Sequence, residues 1–334
     1  MAERPRIAVI FTGGTISMLP DPVTGAAVPA LDGAAILERV PGLDTIAQLR
    51  PIDWGLVPAS HLRFAQILEV GGLIADAARR EDVDGVVVVQ GTDVLEETAY
   101  AWDLLHTLDT PVVVVGAMRN AGDPDYEGPD NMTAAVRVAA DPRMRGQGVA
   151  VVMDGRILPA DDVTKTHSQA IDTFQALNDG PLGFVRGGEV VLERERRGRH
   201  VLRDWPEAAA EPVTLVTAVV ATDGSLLRAA TRQGSRALVV EATGSGNTDP
   251  DLLAAAVEAM DTGVPVALTT RCASGAVGPF YGFPGGGRSW QDAGAILAGT
   301  LSGPKARIAL ALGLGAGLGR AGLGELLGEA RIDG

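Results

Sequence analysis

Cysteine is almost absent from this chain: Cys272 is the one thiol, and aromatic side chains make up only 4% of the residues. A lone thiol closes no internal disulfide, which excludes the disulfide-framed secreted scaffolds and fits a reducing compartment. Cys272, in Arg271-Cys272-Ala273, is expected to pack in a core. Basic runs are missing too. The densest stretch, Glu193–His200, is short and mixed in sign, and the formal net charge is −14. Such a chain repels phosphate backbones and anionic membrane surfaces on average, so a nucleic-acid partner is not expected. Long apolar runs are lacking as well. The first, Ile7–Phe11, is too short for a signal-peptide core or a membrane span and reads as a strand. The expectation is a cytoplasmic protein with no membrane partner. His106, His167 and His200 show no metal-ligand spacing, so no metal and no cofactor are expected. No internal repeat or low-complexity tract occurs.

What is present is apolar material in quantity: 46% of 334 residues, with 43 glycines. That is enough for one large α/β domain or two domains with close helix-on-sheet packing. Ile7–Phe11, Val86–Val89, Val112–Val115 and Val149–Val152 are continuous β-branched runs, the pattern of parallel strands covered on both faces. Leu62–Arg80, Leu95–Thr107 and Asn131–Asp141 show helical periodicity between them. This alternation predicts βαβ units and a doubly wound sheet. From Arg194 to Pro212 the pattern breaks into a charged, periodless stretch. The organisation read from it is a domain over 1–193, a linker over 194–212 and a smaller α/β domain over 213–334. In the latter, strands are expected at Val213–Val220, Ala237–Val240 and Val264–Thr269, with helices at Asp249–Met260 and Lys305–Leu312.

In open parallel sheets chemistry gathers at the carboxyl ends of strands. The first strand ends in Thr12-Gly13-Gly14-Thr15-Ile16. Two glycines permit either a tight turn or a close approach of backbone to a ligand. A phosphate loop is disfavoured, since neither Gly-Lys-Ser/Thr nor a third glycine at dinucleotide spacing follows. The run Val88–Val89 leads into Gln90-Gly91-Thr92-Asp93-Val94-Leu95-Glu96-Glu97. Asp93 with Glu96 reads either as a helix cap or as a hydroxyl and carboxylate gathered at a strand tip; Glu96 and Glu97 read as helix-start charges. Beyond Val149–Met153 comes Asp162-Val163-Thr164-Lys165-Thr166-His167. Lys165 there is either a solvated loop residue or an activator of a threonine hydroxyl, which is a poor nucleophile until its proton is withdrawn.

Together these segments resemble the bacterial-type L-asparaginase/glutaminase family. The matching motifs are TGGTI at Thr12–Ile16, QGTDVLEETA at Gln90–Ala99, GAMR at Gly116–Arg119 and VTKTHS at Val163–Ser168. GPDN at Gly128–Asn131, Gly180–Gly183 and Lys305-Ala306-Arg307 also fit, so the resemblance runs nearly the whole chain in order. It implies a larger N-terminal domain with a mostly parallel sheet of flavodoxin-like order and a smaller C-terminal parallel-sheet domain. It implies hydrolysis of the side-chain carboxamide of L-asparagine or a close analogue to the acid and ammonia. Thr12 matches the nucleophile that forms an acyl-enzyme ester. Thr92, Asp93 and Lys165 match a second triad, with Asp93 also facing the substrate's α-amino group. Gly14, Gly91, Ser60 and His61 match substrate-binding positions, Ser60 for the α-carboxylate. Ala117 matches the alanine whose carbonyl faces the leaving amide. Asn247 matches a residue given to a partner's site, so a homodimer or homotetramer with sites at an intimate dimer interface is implied.

Several positions depart from the family's pattern. The loop Leu19–Leu31 holds no tyrosine where the family places one to assist the nucleophile; that position falls near Ala26. The first tyrosine in the chain is Tyr100. Tyr281, in Pro279-Phe280-Tyr281-Gly282, is the possible substitute. His61 replaces the usual glutamine or asparagine, and either retunes recognition of the substrate amino group or only starts the next helix. Glu127 stands where the family usually has Asp, and 275–288 lacks the acid supplied by the second domain. These departures motivate an alternative, an amidase for a larger or modified asparagine-like substrate. A non-enzymatic reading is a binding protein with little turnover. A tRNA-dependent amidotransferase subunit shares the motifs but carries an extra N-terminal domain, and TGGTI here starts at residue 12.

Overall fold

A computed structural model describes residues 3–196 and 198–328. Arg197 of the expected linker and 329–334 of the expected second domain lie outside the described residues. The chain forms two compact units, Met1–Arg199 and His200–Gly334.

The first unit begins β1 (Arg6–Phe11), β2 (Met18–Pro20), β3 (Ala27–Pro29), α1 (Gly33–Glu38), α2 (Leu43–Ile46) and β4 (Gln48–Asp53). It continues α3 (Phe64–Ala78), β5 (Gly85–Val89), α4 (Leu95–Leu105), β6 (Val112–Val115), α5 (Gly128–Ala139) and β7 (Val149–Met153). Five short strands close it: β8 (Arg156–Pro159), β9 (Val163–Lys165), β10 (Phe174–Ala176), β11 (Gly183–Arg186) and β12 (Glu189–Leu192). The main sheet has the order β12-β11-β8-β7-β6-β5-β1-β4. Its strands β4, β1, β5, β6 and β7 pair in parallel. Counted along the chain these five stand in the order 2-1-3-4-5, the flavodoxin-like doubly wound arrangement. The valine runs are buried along their whole length, because α3 and α4 cover one face while α5 covers the other. Trp102 of α4 fixes the helix pair by donating its indole N–H to the Ile67 carbonyl at 2.9 Å. The antiparallel extension through β8, β11 and β12 was not expected. Each of these strands has only four residues, β8 largely buried and β11 and β12 partly exposed, too short a run for an alternation to read.

The second unit contains β13 (Val213–Thr217), α6 (Ser225–Arg232), β14 (Ala237–Ala242), α7 (Pro250–Asp261) and β15 (Val266–Thr270), followed by α8 (Gly287–Asp292), β16 (Ile296–Leu297), α9 (Gly303–Gly315) and α10 (Arg320–Leu326). Its four strands form an all-parallel sheet in the order β13-β14-β15-β16. Helices α6 and α7 pack on each other beside it, and α9 packs along β13, β14 and β15. Two expectations fail here. The strand read as Val213–Val220 stops at Thr217, because Val219 N–H turns to the Thr222 hydroxyl at 2.7 Å and Ala221 takes a positive φ of 61°. Cys272 is exposed rather than packed in a core, since β15 has ended and its N–H is taken by the Thr270 hydroxyl at 3.0 Å.

Candidate active site

The strand order reverses between β1 and β5, which are neighbours whose following connections leave on opposite sides. That divergence opens a crevice at their carboxyl ends. Thr12 follows β1 directly and is 2% exposed; Thr92 is the third residue after β5 and is 5% exposed. Glycines let the two turns meet. Gly14 has a φ of +99°, and a Cβ added there would lie 2.2 Å from the Gly91 nitrogen. A Cβ on Gly91 would in turn lie 2.9 Å from Cβ of Ala59 and 3.1 Å from Cα of Gly14. The turn before α3 therefore closes on the same spot. Of the two readings of TGGT, close approach is the one realised, although what Gly14 approaches is the other strand's turn.

Lys165 reaches this spot from β9, which pairs antiparallel with β10, and not from the loop directly after β7. Its ammonium donates to Thr92 Oγ1 at 3.0 Å and to Asp93 Oδ1 at 3.1 Å. The lysine side chain is 16% exposed while that of Asp93 is 65% exposed, so the pair spans from covered to open. Asp93 is not the helix cap: the N-cap of α4 is Val94, with no side-chain cap hydrogen bond. Glu96 is more than a helix-start charge, because its carboxylate accepts the Lys165 backbone N–H at 2.9 Å. The Thr12 hydroxyl donates to the Val89 carbonyl at 3.0 Å. A carbonyl takes no proton, so that hydroxyl has to turn before it can be deprotonated. The hydroxyl already facing a nitrogen is that of Thr92.

Ser60 and His61 are exposed and belong to a separate helical turn, Ala59–His61, while α3 starts only at Phe64 with Arg63 as its cap. His61 therefore does not start that helix. Ala117 is fully buried after β6. Glu127 holds the chain beyond it, accepting the N–H groups of Met118 and of Arg119, the latter at 3.2 Å. Asn131 of α5 ties the ends of β6 and β7, donating to the Gly116 carbonyl at 3.1 Å and accepting Asp154 N–H at 3.0 Å. Thr12, Gly14, Gly91, Thr92, Asp93 and Lys165 are thus brought together, with Ser60 and Ala117 on adjoining turns. Asn247 and Tyr281 belong to the second unit. Asn247 follows β14, where its N–H and carbonyl pair with Thr243 and its buried Oδ1 has no hydrogen-bond partner among the described residues. Tyr281 is half-exposed, 5.7 Å from the Phe283 ring. Tyr100 is buried within α4, where burial and then the charges of Asp161 and Asp103 push its phenol up.

Among the described residues no cluster of His, Cys, Asp or Glu is arranged to hold a metal. Nor is any described helix long and apolar enough to cross a membrane.

Comparison with known proteins adds the following. The family described as "Asparaginase, N-terminal" matches residues 6–197, and "Glutaminase/Asparaginase C-terminal domain" matches residues 212–327. A "Probable L-asparaginase" of Deinococcus radiodurans is 35% identical, with 96% of each chain covered. An "L-asparaginase" of Bacillus licheniformis is 31% identical over 92% of this chain and 94% of its own. A "Probable L-asparaginase periplasmic" of Haemophilus influenzae is 31% identical over 94% of this chain and 89% of its own.

Proposed function

The chain belongs to the asparaginase family, and from that membership and the geometry around Lys165 we propose that it hydrolyses the side-chain carboxamide of L-asparagine, or a close analogue, to the acid and ammonia. The observation that carries this reading is the Lys165 ammonium 3.0 Å from Thr92 Oγ1, on the turn pressed against that of Thr12. Thr12 attacks the carboxamide carbon, forming a C–O bond. Backbone N–H groups beside Thr12 and Thr92 stabilise the oxyanion. The C–N bond then breaks and the nitrogen leaves protonated as ammonia, opposite the Ala117 carbonyl. Water next cleaves the ester and restores the threonine. Thr92 handles the protons, with Lys165 lowering the cost of withdrawing the Thr92 proton. Asp93 takes the substrate's α-amino group and Ser60 its carboxylate, with Gly14, Gly91 and His61 completing the lining.

Ammonia release from L-asparagine, D-asparagine and L-glutamine tests this. Thr12→Ala and Thr92→Ala are expected to abolish it, and Lys165→Met to lower kcat by roughly 10²–10⁴, the usual range for a lost acid–base group. A parent enzyme that bound aspartate by calorimetry yet released no ammonia from any amide would overturn the reading. The exposed His61 favours a second one, an amidase for a larger or modified asparagine-like substrate. Ordinary turnover of free asparagine sinks that alternative.

Assembly and location are part of the same proposal. We propose a homodimer or homotetramer in which Asn247, whose Oδ1 lacks a partner among the described residues, serves a neighbouring site. A monomer in sedimentation under assay conditions would contradict this. The free, exposed Cys272 is suited to a reducing, cytoplasmic setting. Fractionation of cells tests this against the periplasmic location that one relative's name carries, and recovery in the periplasmic fraction would overturn it.

A further inference from the structure

Beside residues 16–20, which include β2, runs the loop 118–127, and it touches them at Ile16, Met18 and Pro20. The Tyr126 hydroxyl donates to the Ile16 carbonyl at 3.0 Å. Ala121 N–H donates to the Met18 carbonyl at 3.0 Å. Gly122 lies so near Pro20 that a Cβ added to it would meet the proline Cδ at 2.6 Å. The loop is itself braced. Glu127 holds Met118 and Arg119 N–H, and Asp123 takes both Asn120 N–H and its side-chain amide at 3.0 and 2.6 Å. Arg119 pairs with Asp125 and reaches the Gln169 carbonyl at 2.8 Å. The Tyr126 ring lies flush against Gly128, where an added Cβ would sit 2.2 Å from the phenol carbon.

What the phenol grips is the neck of the β2–β3 hairpin. The Ser17 hydroxyl donates to the Gly14 carbonyl at 2.7 Å, and the Ser17 carbonyl accepts Ala30 and Leu31 N–H at 2.9 and 3.0 Å. Both arms of the hairpin are therefore stitched at Ser17, one residue beyond the Tyr126 contact and three beyond Gly14.

We propose that Tyr126 is a positioning residue for amide hydrolysis, fixing the hairpin neck, and with it the Thr12 turn, at a set spacing from the Ala117 carbonyl. The inference rests on the function proposed above. Its chemistry differs from that of a tyrosine acting on the nucleophile. Burial first, and then the neighbouring Glu127 charge, leave the phenol pushed up to about 12, so it stays a donor and takes no proton from Thr12.

Tyr126→Phe keeps the ring and deletes the donor. Two readouts are taken on the full chain: steady-state ammonia release from L-asparagine, and amide hydrogen exchange with and without aspartate. In Tyr126→Phe, kcat is expected to fall roughly fivefold, the effect of about one neutral hydrogen bond, with KM within about twofold of the parent. Amides of residues 17–31 exchange faster, while those of β5, β6 and β7 do not change. Tyr126→Leu, which also loses the ring packing, shows the same pattern enlarged. A kcat within twofold of the parent, or unchanged exchange at 17–31, overturns the proposal. If the parent itself releases no ammonia, the functional reading fails, and exchange at 17–31 still decides the clamp.

Discussion

At the scale of single residues, the difficulty this site solves is holding a long, flexible lysine to one geometry. Four methylenes leave Nζ free to wander unless the backbone behind it is fixed. Glu96 supplies that fixation through the Lys165 N–H, a contact across 69 positions of sequence. Because Glu96 lies in the first turn of α4, the helix that opens just after Thr92 and Asp93 also sets the reach of Lys165 toward them. Glu96→Ala is expected to lower kcat for ammonia release about tenfold, while Glu96→Gln, which keeps an acceptor oxygen, stays within about threefold. Equal losses in the two variants would show that charge, not the hydrogen bond, is what matters. Thr12, Thr92, Asp93 and Lys165 were legible because each sits in a motif with several matching neighbours. Glu96, Glu127 and Tyr126 were not. Their parts depend on partners far along the chain, and no local pattern marks a carboxylate as the acceptor for a backbone N–H on another strand.

At the scale of elements, the Thr12 and Thr92 turns come together because they meet at glycines, Gly14 against Gly91. Strands β1, β5, β6 and β7 and the three helices α3, α4 and α5 were readable from continuous β-branched runs and helical periodicity, whereas the half-exposed parallel strand β4 was not. Short, half-exposed strands such as β9, which delivers Lys165, gave no such signal. Gly14 and Gly25 both hold positive φ, +99° and +69°, but a Cβ on Gly14 runs into the Gly91 backbone while one on Gly25 meets nothing within 4 Å. The comparison separates backbone strain from crowding. Gly25→Ala is expected to cost about 1–2 kcal/mol of stability from the left-handed backbone alone, with activity within about twofold of the parent. Gly14→Ala adds a clash that only separation of the Thr12 and Thr92 turns relieves, and ammonia release should fall by about 10² or more, as for other small misplacements of reacting groups. Thermal melts alongside the assay check both. Comparable activities in the two variants would mean that the turns need not be in contact.

For the whole molecule, the question is where the first unit ends. Charged, periodless sequence from Arg194 onward reads as a linker, yet Arg196 and Arg199 remain with the first unit. The reason is a buried carboxylate. Asp103, on the inner side of α4, is 1% exposed and needs counter-charge; Arg196 meets it at 2.7 Å and Arg199 at 3.7 Å. Burial works against the charge on Arg196, but the attraction of Asp103 and then of Asp161 prevails and holds its guanidinium above the usual arginine range. Such a group reads as solvated when only its neighbours in sequence are considered, because its partner lies 93 positions away. Removing one member of a buried pair leaves the other charge stranded. Val149 N–H still donates to Asp103 at 2.8 Å, which softens the loss. Arg196→Ala is therefore expected to destabilise the first unit by about 3 kcal/mol, at the low end for a broken buried pair. For a unit of this size that lowers its melting temperature by roughly 6–12 °C. Arg186→Ala, which removes only a guanidinium lying 4.2 Å over the Phe184 ring in the half-exposed β11, should cost about 1 kcal/mol or less. Differential scanning calorimetry of the full chain distinguishes them. A melt for Arg196→Ala indistinguishable from that of Arg186→Ala would return residues 194–199 to the linker, and leave the buried Asp103 to be neutralised in some other way.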